Sequence, residues 1–141
     1  MRTMSAGEAR SFLAAGTRTA KLATVRPDGR PHVVPVWFCL DGDLLVFSTS
    51  SATVKARNLR SNPRVALTVD EQVPPFAYVS VDGVATCLPR PDDLLSWTTR
   101  IARRYVGNER ADEVGQSMLS IDDLLVQVRI TSIRGFADIV D

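Results

Sequence analysis

Two hydrophobic periods alternate along the 141 residues, and the points where one replaces the other divide the chain into elements. "SAGEARSFLAAG", residues 5–16, has the spacing of a short opening helix. Ser5 is its expected N-cap, Glu8 stands three residues on as in a capping box, and Gly16 is its stop. "TAKLATV" and "PHVVPVWFCL" then read as strands around "RPDGR", whose Pro-Asp-Gly core has the chemistry of a tight hairpin turn. Asp41, Gly42 and Asp43 repeat the device and turn the second strand into a third, "LLVFST". The period changes in "SSATVKARNLRSN", which predicts a helix beginning near Ala52, capped by Ser50 or Ser51, and ending near Ser61 because Pro63 disfavours helical geometry at Asn62. Strand alternation returns in "RVALTVD" and "FAYVSVDGVATCL", joined by "EQVPP".

"RPDDLLSWTTRIARRYVG" is the longest amphipathic stretch, with Leu94, Thr98, Ile101 and Tyr105 on one stripe and Arg100, Arg103 and Arg104 largely off it. A second short helix is expected around residues 110 to 117. "LLVQVRITSIRGFADIVD" closes the chain as a strand bulged near residues 132 to 135. Six strands in a meander, with a helix inserted after the third, predict a small, mainly antiparallel β-barrel in one domain spanning residues 1–141. "VVPVWF" is apolar on both faces, which an antiparallel strand exposed to water would not be, so a homodimer is expected.

Composition narrows the function classes. A hydrophobic fraction of 45% with 23% charged residues is that of a globular protein, and no segment reaches the roughly 20 apolar residues of a membrane helix. No export signal is evident, so the expected location is cytoplasmic. A net charge of +1 supplies no broad positive field for nucleic acid, so any anion site must be local. Cys39 and Cys87 stand singly and His32 is the only histidine, a set that offers no metal site.

The local candidate is the polar break after the third strand. The helix that follows presents unpaired N–H groups and the positive end of its dipole, which favour an anion. Lys55 and Asn58, three residues apart, share a face and can converge on one phosphate, with Thr53 as a third donor. Each of these residues has an ordinary structural reading as cap or solvated face. It is the fixed order of strand, polar break, T-x-K-x-x-N helix and "NPRVAL" strand that carries information.

In that order the chain resembles a known superfamily. "LATVRPDGRPHVVPVWF", "LLVFSTS", "TVKARNLRSNPRVAL" and "YVSVDGVA" are similar to successive motifs of the pyridoxamine 5′-phosphate oxidase-like split β-barrel flavin and deazaflavin oxidoreductases, from about Thr19 onward. The S-T-S strand end and K-x-x-N helix look most like the actinobacterial branch that uses coenzyme F-420. The resemblance implies a mainly β, six-stranded split antiparallel barrel with a few peripheral helices, and a cofactor held between the subunits of a homodimer. It places the cofactor phosphate on Thr53, Lys55 and Asn58. Ser48, Thr49 and Ser50 would meet the phosphate or polyol chain, and Pro35, Val36 and Trp37 would lie along the ring. Flavin-binding relatives of the oxidase branch commonly carry a basic residue near the start of the second strand and S-R-K on the helix. This chain has Pro35 and T-V-K there, which puts F-420 ahead and leaves FMN as the alternative. The arginine/histidine substrate motif of pyridoxamine phosphate oxidation is not evident in "SIRGFADIVD".

The implied chemistry is hydride transfer from reduced F-420 to a conjugated small-molecule acceptor, with no protein nucleophile or metal required. Candidates to line an acceptor pocket are Tyr78, Trp97, Arg100, Arg104 and Tyr105, and the arginines around Arg103 could instead reach the acidic tail of the coenzyme. An FMN-dependent oxidoreductase and a non-catalytic binder of a cofactor, haem or lipid-like ligand are the rival readings.

Overall fold

The computed structural model describes residues 1–140. The elements are β1 (Arg2–Thr3), α1 (Ala6–Ala14), β2 (Ala20–Val25), β3 (Pro31–Val36), β4 (Cys39–Asp41), β5 (Leu44–Ser50), α2 (Val54–Ser61), β6 (Arg64–Glu71), β7 (Ala77–Pro89), α3 (Leu94–Val106), α4 (Ala111–Ser117) and β8 (Asp123–Ala137). Local signals placed most of these boundaries. Ser5 and Glu8 form a reciprocal capping box on α1, and the turns before β3 and β5 rest on Gly29 and Gly42, both at positive φ, where a side chain would be strained.

The protein is mainly β, a split barrel with four peripheral helices. All strand pairings are antiparallel, in the order β3-β2-β6-β7-β8-β5-β4, with β1 added to β8. This corrects the expected meander: α2 carries the chain from β5 across to β6, which pairs with β2, and the long β8 is the strand that joins β7 to β5. The predicted second strand is broken at Trp37 and Phe38 into β3 and β4, which lie at the two ends of the pairing order. Only two residues connect those ends, so the sheet must curl back on itself, and the missing ladder between them is the split. The irregularity in β8 falls at Thr131, just before the predicted place, where Asp82 pairs with Ser132 but Gly83 with Ile130.

Period-two alternation sends Leu22, Phe47, Leu67, Val69, Val79, Val81, Val126 and Val128 into the barrel, joined by Ala9 and Leu13 of α1 and Ala56 and Leu59 of α2. The opposite faces of β4, β5 and β8 supply Cys39, Val46 and Leu125 to a second cluster under Leu94 and Ile101 of α3. Burying such a side chain contributes about 1.5–3 kcal/mol, and Leu94 and Ile101 anchor α3 on the sheet in this way. Helix α4 packs closely on α3 because Gly115 has no side chain: a Cβ there would stand 2.7 Å from Thr99 Cα. Thr98 Oγ1 donates to the Gly115 carbonyl at 2.8 Å.

Candidate functional site

The handover from β5 to α2 is a dense hydrogen-bond network. Thr53, not Ser50 or Ser51, is the N-cap of α2, which starts at Val54. The two serines serve elsewhere: Ser50 Oγ and Ser51 Oγ both donate to Asp122 Oδ2, at 2.9 and 3.2 Å. Hydroxyls from Ser120, Ser50 and Ser51 hold the Asp122 carboxyl below its ordinary range, so that corner is anionic. Thr53 Oγ1 donates to the Ser50 carbonyl at 2.9 Å and accepts from the Ala56 N–H at 3.3 Å. Thr49, buried, lies 2.9 Å from the same oxygen, and either hydroxyl can donate to the other, so the Thr53 hydroxyl has three partners within the fold. Thr53 and Ser50, both expected as direct cofactor contacts, therefore have side chains already committed to the fold.

Asn58 and Lys55 part company. Asn58 is 2% exposed, and its Nδ2 donates to Thr24 Oγ1 of β2 at 2.9 Å. It is a buried tie between helix and sheet. Lys55 is half-buried on the same inward side of α2, which Asn58 and Leu59 define, yet no hydrogen bond or ion pair reaches its ammonium among the described residues. Burial alone pushes its pKa down. The amides of Val54 and Lys55 in the first turn likewise have no acceptor among the described residues, because Thr53 satisfies only the Ala56 N–H. A half-buried cation and two open amides at the positive end of a helix are a donor set whose chemistry suits an oxyanion.

Beside the helix start lies a second basic feature, which Lys55 does not line. Arg26, Arg30, Arg57 and Asn58 line a cavity of about 420 Å³ between the β2–β3 turn and α2. Arg26 and Arg57 point guanidinium nitrogens at the carbonyls of Pro31 and Ala52, and only Arg30 is neutralised, by Asp28. Arg26 and Arg30 escaped the sequence reading, since only the fold brings the β2–β3 turn to α2. Ser48 is half-buried and its hydroxyl has no partner among the described residues. Pro35 and Trp37 are exposed while Val36 is buried at 8%, so side chains of Pro35 and Trp37 face out and Val36 faces the core. Strand β3 ends the pairing order, which leaves one side of its backbone open to a hydrogen-bonding ligand.

The acceptor candidates divide. Tyr105 stacks on Trp37, ring centroids 4.7 Å apart and planes 11° apart, and its hydroxyl donates to the Arg18 carbonyl at 3.0 Å. Arg104 lies against the Phe38 ring and donates to the carbonyls of Leu13, Gly16 and Phe38 at 2.7, 2.9 and 3.0 Å. Far from standing off the packed stripe, it closes the open end of α1. Arg100 donates to the Leu40 carbonyl and Trp97 to Asp93. Tyr78 stands apart from these, on the outer sheet face against Phe136. His32 Nδ1 is buried without a hydrogen-bond partner. Among the described residues no cluster of three metal-ligating side chains occurs, and no helix is long and apolar enough to cross a membrane.

Residues 6–137 match the family model described as pyridoxamine 5′-phosphate oxidase. A conserved hypothetical protein from Mycobacterium tuberculosis superposes with a TM-score of 0.80 at 28% identity, over 96% of this chain and 86% of that one. A structure named F-420 reductase aligns with a TM-score of 0.70 at 30% identity, over 87% and 94% of the two chains. A FAD-binding protein from Mesorhizobium loti gives 0.69 at 25% identity, over 95% of each.

Proposed function

The chain belongs to the pyridoxamine 5′-phosphate oxidase family, and from that membership we propose that it is an oxidoreductase that holds coenzyme F-420 and reduces a conjugated small-molecule acceptor. The observation that carries the reading is Lys55, a half-buried ammonium with no counter-ion among the described residues, beside the open first-turn amides of α2. Taking a charge out of water without a partner is unfavourable, and a bound phosphate would reverse the penalty. The residues therefore fit a phosphorylated cofactor. Similarity to the F-420 reductase favours the deazaflavin. Similarity to the FAD-binding protein supports a second reading, a flavin nucleotide such as FMN on the same anchor.

When bound, a reduced deazaflavin supplies hydride, the two-electron chemistry that the protein itself lacks. The chain's part is positional. Lys55 and the α2 amides would hold the phosphate, Ser48 would offer a hydroxyl to the polyol, and the open edge of β3, at Pro35, Val36 and Trp37, would carry the ring. The Trp37–Tyr105 stack braces the end of that edge, which would help to orient a bound ring. Thr49, Thr53 and Asn58 act one step removed, by shaping the helix start and its seat on β2. The Ser50 hydroxyl is taken by Asp122 and so offers the phosphate no free proton.

The cofactor and its acceptor are completed, in this reading, by a second copy of the chain. The outer face of β3, β2 and β6 carries Val33, at 63% exposure, opposite Ala23, which in turn pairs with Ala66. Such a smooth apolar strip suits a self-complementary dimer interface in the cytoplasm. Equilibrium titration of the apoprotein with F-420 and FMN side by side is the deciding experiment. Tighter binding of F-420, weakened about tenfold or more by Lys55→Ala, is expected. Binding of neither, or an unchanged dissociation constant in Lys55→Ala, overturns the proposal.

A further inference from the structure

A cavity of about 370 Å³ opens between β4, the end of α1 and the C-terminal half of α3, a size within the range of small-molecule sites. Its lining is Ala14, Cys39, Leu40, Arg100, Arg103 and Arg104. Leu40 pairs with Leu45, five residues before Ser50, so the cavity stands roughly 17 Å along β5 from the strand end that leads into α2. It is a different place from the Lys55 anchor.

Three guanidinium groups share this lining and no carboxylate does. Positions 100, 103 and 104 fall on one face of α3, where like charges repel. Asp41 comes no nearer to Arg100 than 3.9 Å, with both side chains about half exposed, and Asp43 is taken by Arg10 at 2.9 Å. The Cys39 thiol adds no negative charge, because burial raises its pKa. The carbonyl end of α3 offsets part of the excess, but only as a fraction of one charge. Arg104 is half-buried on carbonyls alone, so dipoles solvate its charge and no carboxylate neutralises it. Donors also remain. Arg103 is exposed and has no partner among the described residues, and Arg100, leaning over the Trp97 ring, gives one hydrogen bond, to the Leu40 carbonyl at 2.6 Å.

One distant carboxylate against three arginines leaves about two charges unmatched, which a compact dianion balances. Ala14 and Leu40 add an apolar margin, and the volume is roughly that of a dozen waters, more than a bare phosphate takes. We propose that this cavity binds a small phosphate monoester, its head between Arg100 and Arg103 and its body against Ala14 and Leu40. The proposal does not rest on the coenzyme. Arg104 and Tyr105 hold the Phe38 carbonyl and N–H, so the bound head adjoins the break between β3 and β4.

Phenyl phosphate, inorganic phosphate and benzyl alcohol separate the contributions of charge and body, with binding followed at low salt by amide and arginine side-chain shifts of the labelled protein. Phenyl phosphate is expected to shift the amides of Ala14, Cys39 and Leu40 together with the Arg100 and Arg103 side chains. It should bind several-fold tighter than inorganic phosphate and at least tenfold tighter than benzyl alcohol. Arg103→Gln should weaken phenyl phosphate at these signals about tenfold, with no loss of melting temperature in the absence of ligand and no change in F-420 affinity. Lys55→Ala should do the reverse, weakening F-420 and sparing the arginine signals. Equal affinity for phenyl phosphate and benzyl alcohol, shifts confined to α2, or unchanged binding in Arg103→Gln would overturn the site, and inorganic phosphate binding as tightly as the ester would overturn the ester. F-420 displacing phenyl phosphate from the arginines would make the cavity part of the coenzyme site and overturn it as a second one. Phenyl phosphate binding here without any F-420 binding leaves this proposal standing and removes the coenzyme.

Discussion

The Asn58 side-chain amide donates to Thr24 Oγ1 at 2.9 Å inside the barrel wall, and this one bond ties α2 to β2. Both residues are almost completely buried, so neither can turn to water if the other is lost. Asn58→Ala is expected to lower unfolding free energy by about 1–3 kcal/mol, the penalty of a stranded buried hydroxyl and a lost bond, read by urea denaturation. Any loss of cofactor affinity should follow that loss of stability and be partly recovered at lower temperature.

Lys55 should behave in the opposite way. Its pKa is depressed in the folded protein by burial, so between the folded value and the ordinary 10.5 the unfolded chain binds more protons. Stability therefore rises with pH through that window, and below it the charged group is a net burden on the fold. Lys55→Met should match or exceed the wild type in melting temperature at neutral pH, with the advantage shrinking as pH approaches 10.5. A phosphorylated ligand at a fixed concentration should stabilise the wild type more than the variant and so close the gap between them. Thermal scans across pH, with and without F-420, test both halves.

Arg104 holds three loop and helix-end carbonyls together with the Phe38 ring. Arg104→Ala should destabilise the protein by about 3 kcal/mol, and Arg104→Lys should recover little of it, because an ammonium lacks the planar fork that reaches several acceptors at once. Chemical denaturation of the two variants measures the ratio.

At Gly115 a new Cβ would meet Thr99 Oγ1 at 2.6 Å and Thr99 backbone atoms within 3 Å, so α4 has to move off α3. Gly115→Ala is expected to cost about 1–3 kcal/mol despite the better helix propensity of alanine. Hydrogen exchange should show the loss first at the Gly115 end of α4, with the β5–α2 junction unchanged.

Val33 tests the proposed dimer. Val33→Glu places like charges against each other across a two-fold axis and should convert the dimer to monomer in sedimentation velocity. F-420 affinity should fall with it if the second copy completes the site.

Much of this protein was legible in its sequence because the signals are local. The Ser5 and Glu8 box, the glycine turns at Gly29 and Gly42, the stop before Pro63 and the alternation that sorts Leu67 and Val69 from Thr68 each act within a few residues. Backbone geometry and period fix such features wherever the rest of the chain goes. Strand order was not legible, since β5 could have met β6 directly, and only the docking of β8 between β7 and β5 decides otherwise.

The site divides in the same way. The sequence singled out the T-V-K-A-R-N stretch, but a hydroxyl or amide there accepts whichever partner the fold brings near. Asp122 arrives from 72 residues away to take the Ser50 hydroxyl, and Thr24, 34 residues upstream, takes the Asn58 amide. Lys55 and, on the strand before it, Ser48 receive no side-chain partner among the described residues. Sequence determined which groups could bind an anion; tertiary structure decided which were already used, because a hydrogen bond is satisfied by proximity in space and not by spacing along the chain.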